Sequence, residues 1–239
     1  MRIAVISDIH GNLHAFEAVL ADVRETAPDL IFHGGDLAHG GSGNAEVIDR
    51  VRDMGWPGVL GNTDEMLFRP ESLTAFAAQS PQLQAMFAAI AEMAAGERDE
   101  IGEERLAWLR TLPMRQTHEA MALVHAAPET TWRSPGPETA DAELESVYGT
   151  LGQPVVVYGH IHRSYVRKVG GMTIVNSGSV SLSFDGDPRA SYLLLEDGTP
   201  SIRRVEYDVE REIRAIRASG LPHAEWIAKT LAAARPTMP

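Results

Sequence analysis

Five short apolar runs, spread over the first two thirds of the chain, each end in a turn that carries an Asp, Asn or His. That pattern limits the fold more than any other feature. Its first instance is the clearest. Ile3 to Ile6 reads as a buried strand and runs into Ser7-Asp8-Ile9-His10-Gly11-Asn12. Alternate strand residues point to the same side, so an Asp-x-His at a strand end can aim a carboxylate and an imidazole at one ion. Gly11 and Asn12 break the strand. Leu13, Phe16, Val19, Leu20 and Val23 then recur at helical spacing. A second strand, Leu30–His33, ends at Gly34-Gly35-Asp36. After a glycine-rich loop, Gly40 to Gly43, Asn44 is placed to cap a helix through Met54. A third short strand, Gly58–Leu60, ends at Gly61-Asn62-Thr63-Asp64. This βαβαβ rhythm predicts a parallel sheet with ligands at the carboxyl ends of its strands.

Residues 66 to about 113 read as mostly helical, divided at Pro81 and Gly96, and carry no ligand pattern. They are expected to form a helical insertion that caps or borders the site. The second half is richer in strands. Met121–Val124 ends at His125-Ala126-Ala127-Pro128, and Pro154–Tyr158 ends at Gly159-His160-Ile161-His162. A helix, Asp141–Tyr148, lies between them. Hairpins are expected across Gly170-Gly171 and Asp197-Gly198, followed by two helices broken near Gly220-Leu221-Pro222. With no internal repeat and no linker, the 239 residues are read as one domain, 1–239.

The chain has no cysteine, which excludes disulfides and thiolate metal sites. Any metal must be held by oxygen and nitrogen, which favours manganese, iron, zinc, cobalt, nickel or magnesium. The net charge of -12 argues against nonspecific nucleic-acid binding, which depends on clustered Lys and Arg. It does not argue against a phosphate substrate, because bound cations dominate local charge. No apolar run is long enough to span a membrane. The first strand starts at Arg2, leaving no room for a signal peptide, so a cytoplasmic location is expected. Oligomeric state is not legible.

The five turns supply Asp8, His10, Asp36, Asn62, His125, His160 and His162. A single histidine at a strand end is more often packed than ligating, and an Asn beside a Gly is a common turn former. Five such turns together are not explained that way. Seven hard-to-borderline ligands suit a two-metal site that leaves room for water and substrate. One carboxylate, Asp36, would be shared, holding two cations about 3.5–4 Å apart, the spacing that suits displacement at phosphorus.

The ordered set Asp8-x-His10, Gly35-Asp36, Gly61-Asn62, His125 and Gly159-His160-x-His162 resembles the calcineurin-like metallophosphoesterases over nearly the whole chain. Gly11-Asn12-Leu13, Asn176 to Val180 and Asp185 to Tyr192 look like the small prokaryotic branch. That branch includes phosphodiesterases, diadenosine-tetraphosphate hydrolases and phosphatases. The resemblance implies a four-layer αββα sandwich of two mixed sheets flanked by helices. It implies that Asp8, His10, Asp36 and His162 bind one metal, and that Asp36, Asn62, His125 and His160 bind a second, manganese and iron being favoured. Two departures stand out. The larger protein phosphatases carry a phosphate-contacting His where this chain has Thr63, and His125 is followed by Ala126 rather than Gly.

The expected reaction is hydrolysis of a phosphate ester by a metal-bridging hydroxide, releasing phosphate from a small phosphorylated substrate. Asn62, Thr63 and Arg163 are expected to contact that substrate. Leaving-group protonation falls to Asp64, His14, His39 or a metal-bound water, with Asp64 the nearest in sequence to a ligand. Helix capping is the alternative for Asp64. For Arg189 an ion pair with Asp185 or Asp187 is favoured over phosphate binding. A different reading is a protein-interaction scaffold that keeps the fold but not the chemistry. Scaffolds of this kind lose ligands, whereas all seven positions are filled here.

Overall fold

The computed structural model describes residues 1–239. Two sheets are present. The first has the order β2-β1-β8-β9, built from β1 (Arg2–Ile6), β2 (Leu30–His33), β8 (Ala190–Glu196) and β9 (Thr199–Val205). The second has the order β3-β4-β5-β7-β6, built from β3 (Arg115–His118), β4 (Met121–Val124), β5 (Val155–Tyr158), β6 (Tyr165–Val169) and β7 (Met172–Asn176). Both are mixed. β1 runs parallel to β2, with Ile3 opposite Leu30 and Ile6 opposite His33, and antiparallel to β8. β5 lies parallel to both β4 and β7.

The alternation of side chains sets the layers. Ile3, Val5 and Phe32 of the first sheet meet Met121, Leu123, Val155, Val157 and Val175 of the second. Ala4, Ile6 and Tyr192 face the other way, against Phe16, Val19, Leu20 and Val23 of α1 (Leu13–Thr26) and Val47, Ile48 and Val51 of α2 (Asn44–Asp53). The far side of the second sheet packs Val124, Val156 and Ile174 on Leu144 and Tyr148 of α6 (Asp141–Tyr148). The result is helix, sheet, sheet, helix, as expected. Each fully buried aliphatic side chain in these layers contributes roughly 1.5–3 kcal/mol. The two buried tyrosines of the last layer keep their hydroxyls satisfied: Tyr148 donates to the Ala126 carbonyl and Tyr158 to that of Pro135.

Three local expectations are corrected. Gly58–Leu60 is not a strand but a single bridge from Gly58 to His33, because the Leu60 N–H is taken by the Pro113 carbonyl. β3 was not anticipated. It is an edge strand paired only with β4, and its sequence Arg-Gln-Thr-His offers no apolar alternation. Residues 66 to 113 are helical, through α3 (Asn62–Phe68), α4 (Pro70–Ala77) and α5 (Gln84–Leu109). Gly96, however, lies inside α5, and the break falls at Gly102, which has φ 76° and ψ 160°. The C-terminal helices α7 (Val209–Ala218) and α8 (Ala224–Ala233) pack Ile213, Ile216 and Ile227 against Met93 of α5. No helix is long and apolar enough to cross a membrane.

Candidate metal centre

The ligand-bearing turns meet at one end of the two sheets. Asp8 and His10 follow β1, and Asp36 follows β2. His125 follows β4, and His160 and His162 follow β5. Asn62 opens α3. Such tight exits are unusual for the backbone: Asp8, His10, Asp36, His160 and His162 all have φ between 49° and 67°. Non-glycine residues adopt this left-handed region at a cost of order 1–3 kcal/mol each, and such residues cluster at functional sites. The surroundings enforce it. The Asp8 N–H donates to Gly35 O and the His10 N–H to Asp36 O, stitching the first two turns together. The loop after β7 closes the floor, with Val180 N donating to Ser7 O and Ser179 Oγ to Asp8 O. Asn176 anchors that loop by donating to Gly159 O at 2.5 Å.

Glycine is needed where turns touch. A Cβ on Gly61 would sit 2.1 Å from the Asp36 N and Oδ1, and one on Gly159 would sit 2.3 Å from Asp8 Oδ2.

Two ligand groups share Asp36. In the first, Asp8, His10, Asp36 and His162 are all buried, with one ligand atom from each lying within 4.8 Å of the others. Here His10 Nε2 is 3.1 Å from His162 Nε2 and 3.6 Å from Asp36 Oδ2, and His162 Nε2 is 3.1 Å from Asp8 Oδ1. In the second, Asn62 Oδ1 is 3.0 Å from His125 Nε2 and 2.8 Å from His160 Nδ1. His125 Nε2 lies 3.4 Å from Asp36 Oδ1. Asp36 thus turns one oxygen to each group.

The donor set fits a cation. The Nδ1 atoms of His10, His125 and His162 lie 3.1, 2.8 and 2.6 Å from the carbonyls of His39, Gly34 and Leu182. A carbonyl only accepts, so each Nδ1 carries a hydrogen and each ring turns its Nε2 inward. The Nε2 atoms of His10 and His162 face each other at 3.1 Å beside two carboxylates. That cluster of acceptors is repulsive unless a shared proton or a cation sits among them. Burial pushes His10 and His160 down to about 4, which keeps both rings unprotonated. At His125 burial acts in the same direction, but Asp36 outweighs it and raises the ring to about 9. Burial likewise opposes ionisation of Asp36, yet His125 and His10 hold its carboxyl well below the usual range. A cation held at Nε2 would have to displace the His125 proton, so its uptake would be coupled to proton release.

The remaining candidates are placed differently. Thr63 is buried. Its N–H donates to Asp36 Oδ1 at 2.9 Å and its hydroxyl to the Ala38 carbonyl. Asp64 is fully buried, and its oxygens accept from the N–H groups of Leu37, Ala38 and Gly61. Burial and the Asp36 charge raise its carboxyl to about 7. Arg163 is exposed and enters no ion pair. Arg189 is held by both oxygens of Asp187. His14 is bonded to Glu212 at 2.6 Å. His39, the other histidine considered for leaving-group protonation, is a buried loop residue bonded to Glu97 at 2.6 Å. Sequence reasoning missed Glu97 and Glu212. Each lies on a helix without ligand spacing, and no signal in a single sequence marks either one.

The calcineurin-like phosphoesterase superfamily model matches residues 1–199, most of the chain and the stretch that holds all seven candidate ligands. The chain belongs to this superfamily. It is accordingly a metallophosphoesterase, a hydrolase of phosphoric esters. Protein MJ0912 of Methanocaldococcus jannaschii is 30% identical, with 96% of each chain covered. The symmetrical bis(5'-nucleosyl)-tetraphosphatase of Sodalis glossinidius is 29% identical over 72% of this chain, which spans 60% of that enzyme. Among solved structures, a metallophosphoesterase from Sphaerobacter thermophilus is 28% identical, with a TM-score of 0.78 over 98% of this chain and 100% of that one. PH1004 from Pyrococcus horikoshii OT3 has a TM-score of 0.84 over 99% of both chains at 15% identity, a likeness of fold alone.

Proposed function

We propose that this phosphoesterase works through two cations. Asp8, His10, Asp36 and His162 hold one, and Asp36, Asn62, His125 and His160 hold the other. The observation that carries this reading is Asp36, whose two oxygens face two separate sets of ligand-type atoms. When bound, two divalent ions of the manganese, iron or zinc type acidify a water and neutralise charge developing on the phosphoryl group.

The protein's own part is positional. The carbonyls of His39, Gly34 and Leu182 orient three imidazoles, so each turns its Nε2 toward an ion position without reorienting the ring. The Thr63 N–H orients the shared carboxylate. Asp64 ties the Asp36 turn to the start of α3. With its oxygens engaged by three backbone N–H groups, it acts as a positioning residue rather than as the leaving-group acid. Two divalent ions outweigh the carboxylates of Asp8 and Asp36, which makes the centre locally positive in an acidic chain and suited to an anionic substrate. Arg163, exposed and unpaired one residue from His162, is available to a phosphate. Small phosphorylated molecules are the substrate class, and dinucleoside polyphosphates belong in any test panel because of the named relative. The helices of residues 66–113 border the centre within a single domain, and the protein acts in the cytoplasm.

The test is metal reconstitution with manganese, iron, zinc, cobalt, nickel or magnesium. Turnover is then measured on nitrophenyl phosphodiesters and monoesters, cyclic nucleotides and dinucleoside polyphosphates. Hydrolysis of a nitrophenyl ester with two manganese ions per chain is expected. Activity at full rate with only one bound ion would refute the paired reading.

A further inference from the structure

The glycine-rich loop between Asp36 and α2 contributes no ligand, yet it is tied to the centre and to two helices beyond it. Its His39 carbonyl is the acceptor that fixes the His10 ring, at 3.1 Å from Nδ1. His39 itself has φ 94°, a strained position for a non-glycine residue. Something must hold it there, and the holding group comes from α5. Glu97 is 2% exposed. Its Oε2 accepts from His39 Nδ1 at 2.6 Å, and its Oε1 accepts from Gly40 N at 2.7 Å and Asn44 Nδ2 at 3.3 Å. Asn44 in turn accepts from His39 N at 2.9 Å. One carboxylate thus grips the side chain of His39 and the residues on its far side. The side chain of Glu97 has no other partner. A buried carboxylate is costly unless its oxygens are satisfied, and here the satisfying donors all belong to this loop and to Asn44, the residue that opens α2.

We propose that Glu97, acting through His39, is a positioning residue for His10. It sets the affinity of the cation held by Asp8, His10, Asp36 and His162, and leaves the cation held through His125 and His160 untouched. The chain of contacts is Glu97 to His39, His39 carbonyl to His10 Nδ1, and His10 Nε2 to the ion position. The second group touches neither Glu97 nor His39 and is joined to them only indirectly, through Asp36 and the Ala38–Thr63 bond: His125 is fixed by Gly34 O, and His160 is placed at Asn62. Outer partners of ligating histidines typically change metal affinity 10–100-fold when lost. The assignment rests on the two-cation reading above.

The test is stepwise titration of the full chain with manganese, with stoichiometry checked by elemental analysis and fold integrity by thermal unfolding in chelator. Wild type is expected to bind two ions. In Glu97→Gln, which keeps volume but loses charge, one of the two affinities is expected to fall about 10–100-fold and the other to stay within about 2-fold. Glu100→Gln, an exposed carboxylate on the same helix, is expected to match wild type. If Glu97→Gln does not fold, His39→Asn replaces it. Asn tolerates the left-handed backbone, and the variant is expected to show the same one-sided loss. Equal weakening of both ions, or no weakening in a folded variant, overturns the assignment. A wild type that binds no manganese would instead overturn the metal-centre reading.

Discussion

His33 lies at the end of β2, completely buried, with neither ring nitrogen bonded to anything. Its ring packs under Gly58, where a Cβ would come within 2.2 Å of it, and 6.2 Å from the Trp108 ring. Burial lowers its pKa to about 3 from the ordinary 6.5. The sign follows from linkage. Below about pH 6.5 the unfolded chain binds a proton that the folded chain refuses, so stability falls with falling pH until about pH 3. At pH 5 the unfolded state gains about RT ln 10^1.5, so His33 alone costs about 2 kcal/mol relative to pH 8. Replacing it by His33→Leu removes that term. The variant has its own constant offset from altered packing, but the offset cancels when each protein is compared with itself at two pH values. The assay is urea unfolding of both proteins in chelator at pH 8 and pH 5. Wild type should lose about 2 kcal/mol more than the variant between the two. Titration of His10 and His160 is common to both proteins and drops out. Superimposable pH dependences would show that the His33 ring is protonated in the folded state, or reaches water, and would refute the reasoning.

Other outcomes follow from the centre. Asp36→Asn should abolish tight binding of both cations and lower nitrophenyl ester hydrolysis at least about 100-fold, since lost outer partners alone cost up to that much. Elemental analysis showing two retained ions would contradict its shared role. Gly61→Ala should destabilise by about 1–3 kcal/mol and weaken metal binding, because the new methyl meets the Asp36 backbone N as well as its Oδ1. An unchanged melting temperature counts against that close approach. Arg163→Ala should raise KM for phosphate esters several-fold with kcat nearly unchanged. A fall in kcat with KM constant would place Arg163 in the chemical step instead.

The sequence was most readable where the fold is most regular. The strand exits at Asp8, Asp36, His125 and His160 were legible because an apolar run that stops at a Gly, Asp or His has few structural alternatives. α6 was legible to the residue. β3 was not, because an edge strand pairs through its backbone and needs no apolar face. Gly58–Leu60 read as a strand for the opposite reason: its residues are apolar and buried, but after one bond from Val59 N–H to His33 O the Leu60 N–H turns away to Pro113 O. Within α5, Gly96 looked like a break and is helical, whereas Gly102 carries the left-handed kink. Composition alone does not say which glycine the packing will use. Glu97 is the deepest case. Its partner His39 is 58 residues away, and only three dimensions bring them to 2.6 Å.

The ligand turns come from both halves of the sandwich: Asp8 and Asp36 leave one sheet, His125 and His160 the other. Cations held between them would act as rivets through the seam. Prying the layers apart would then sever ion coordination in the same stroke, so heat should extinguish turnover and architecture together in the loaded protein. Once the ions are stripped, the seam can breathe with no matching loss of either sheet.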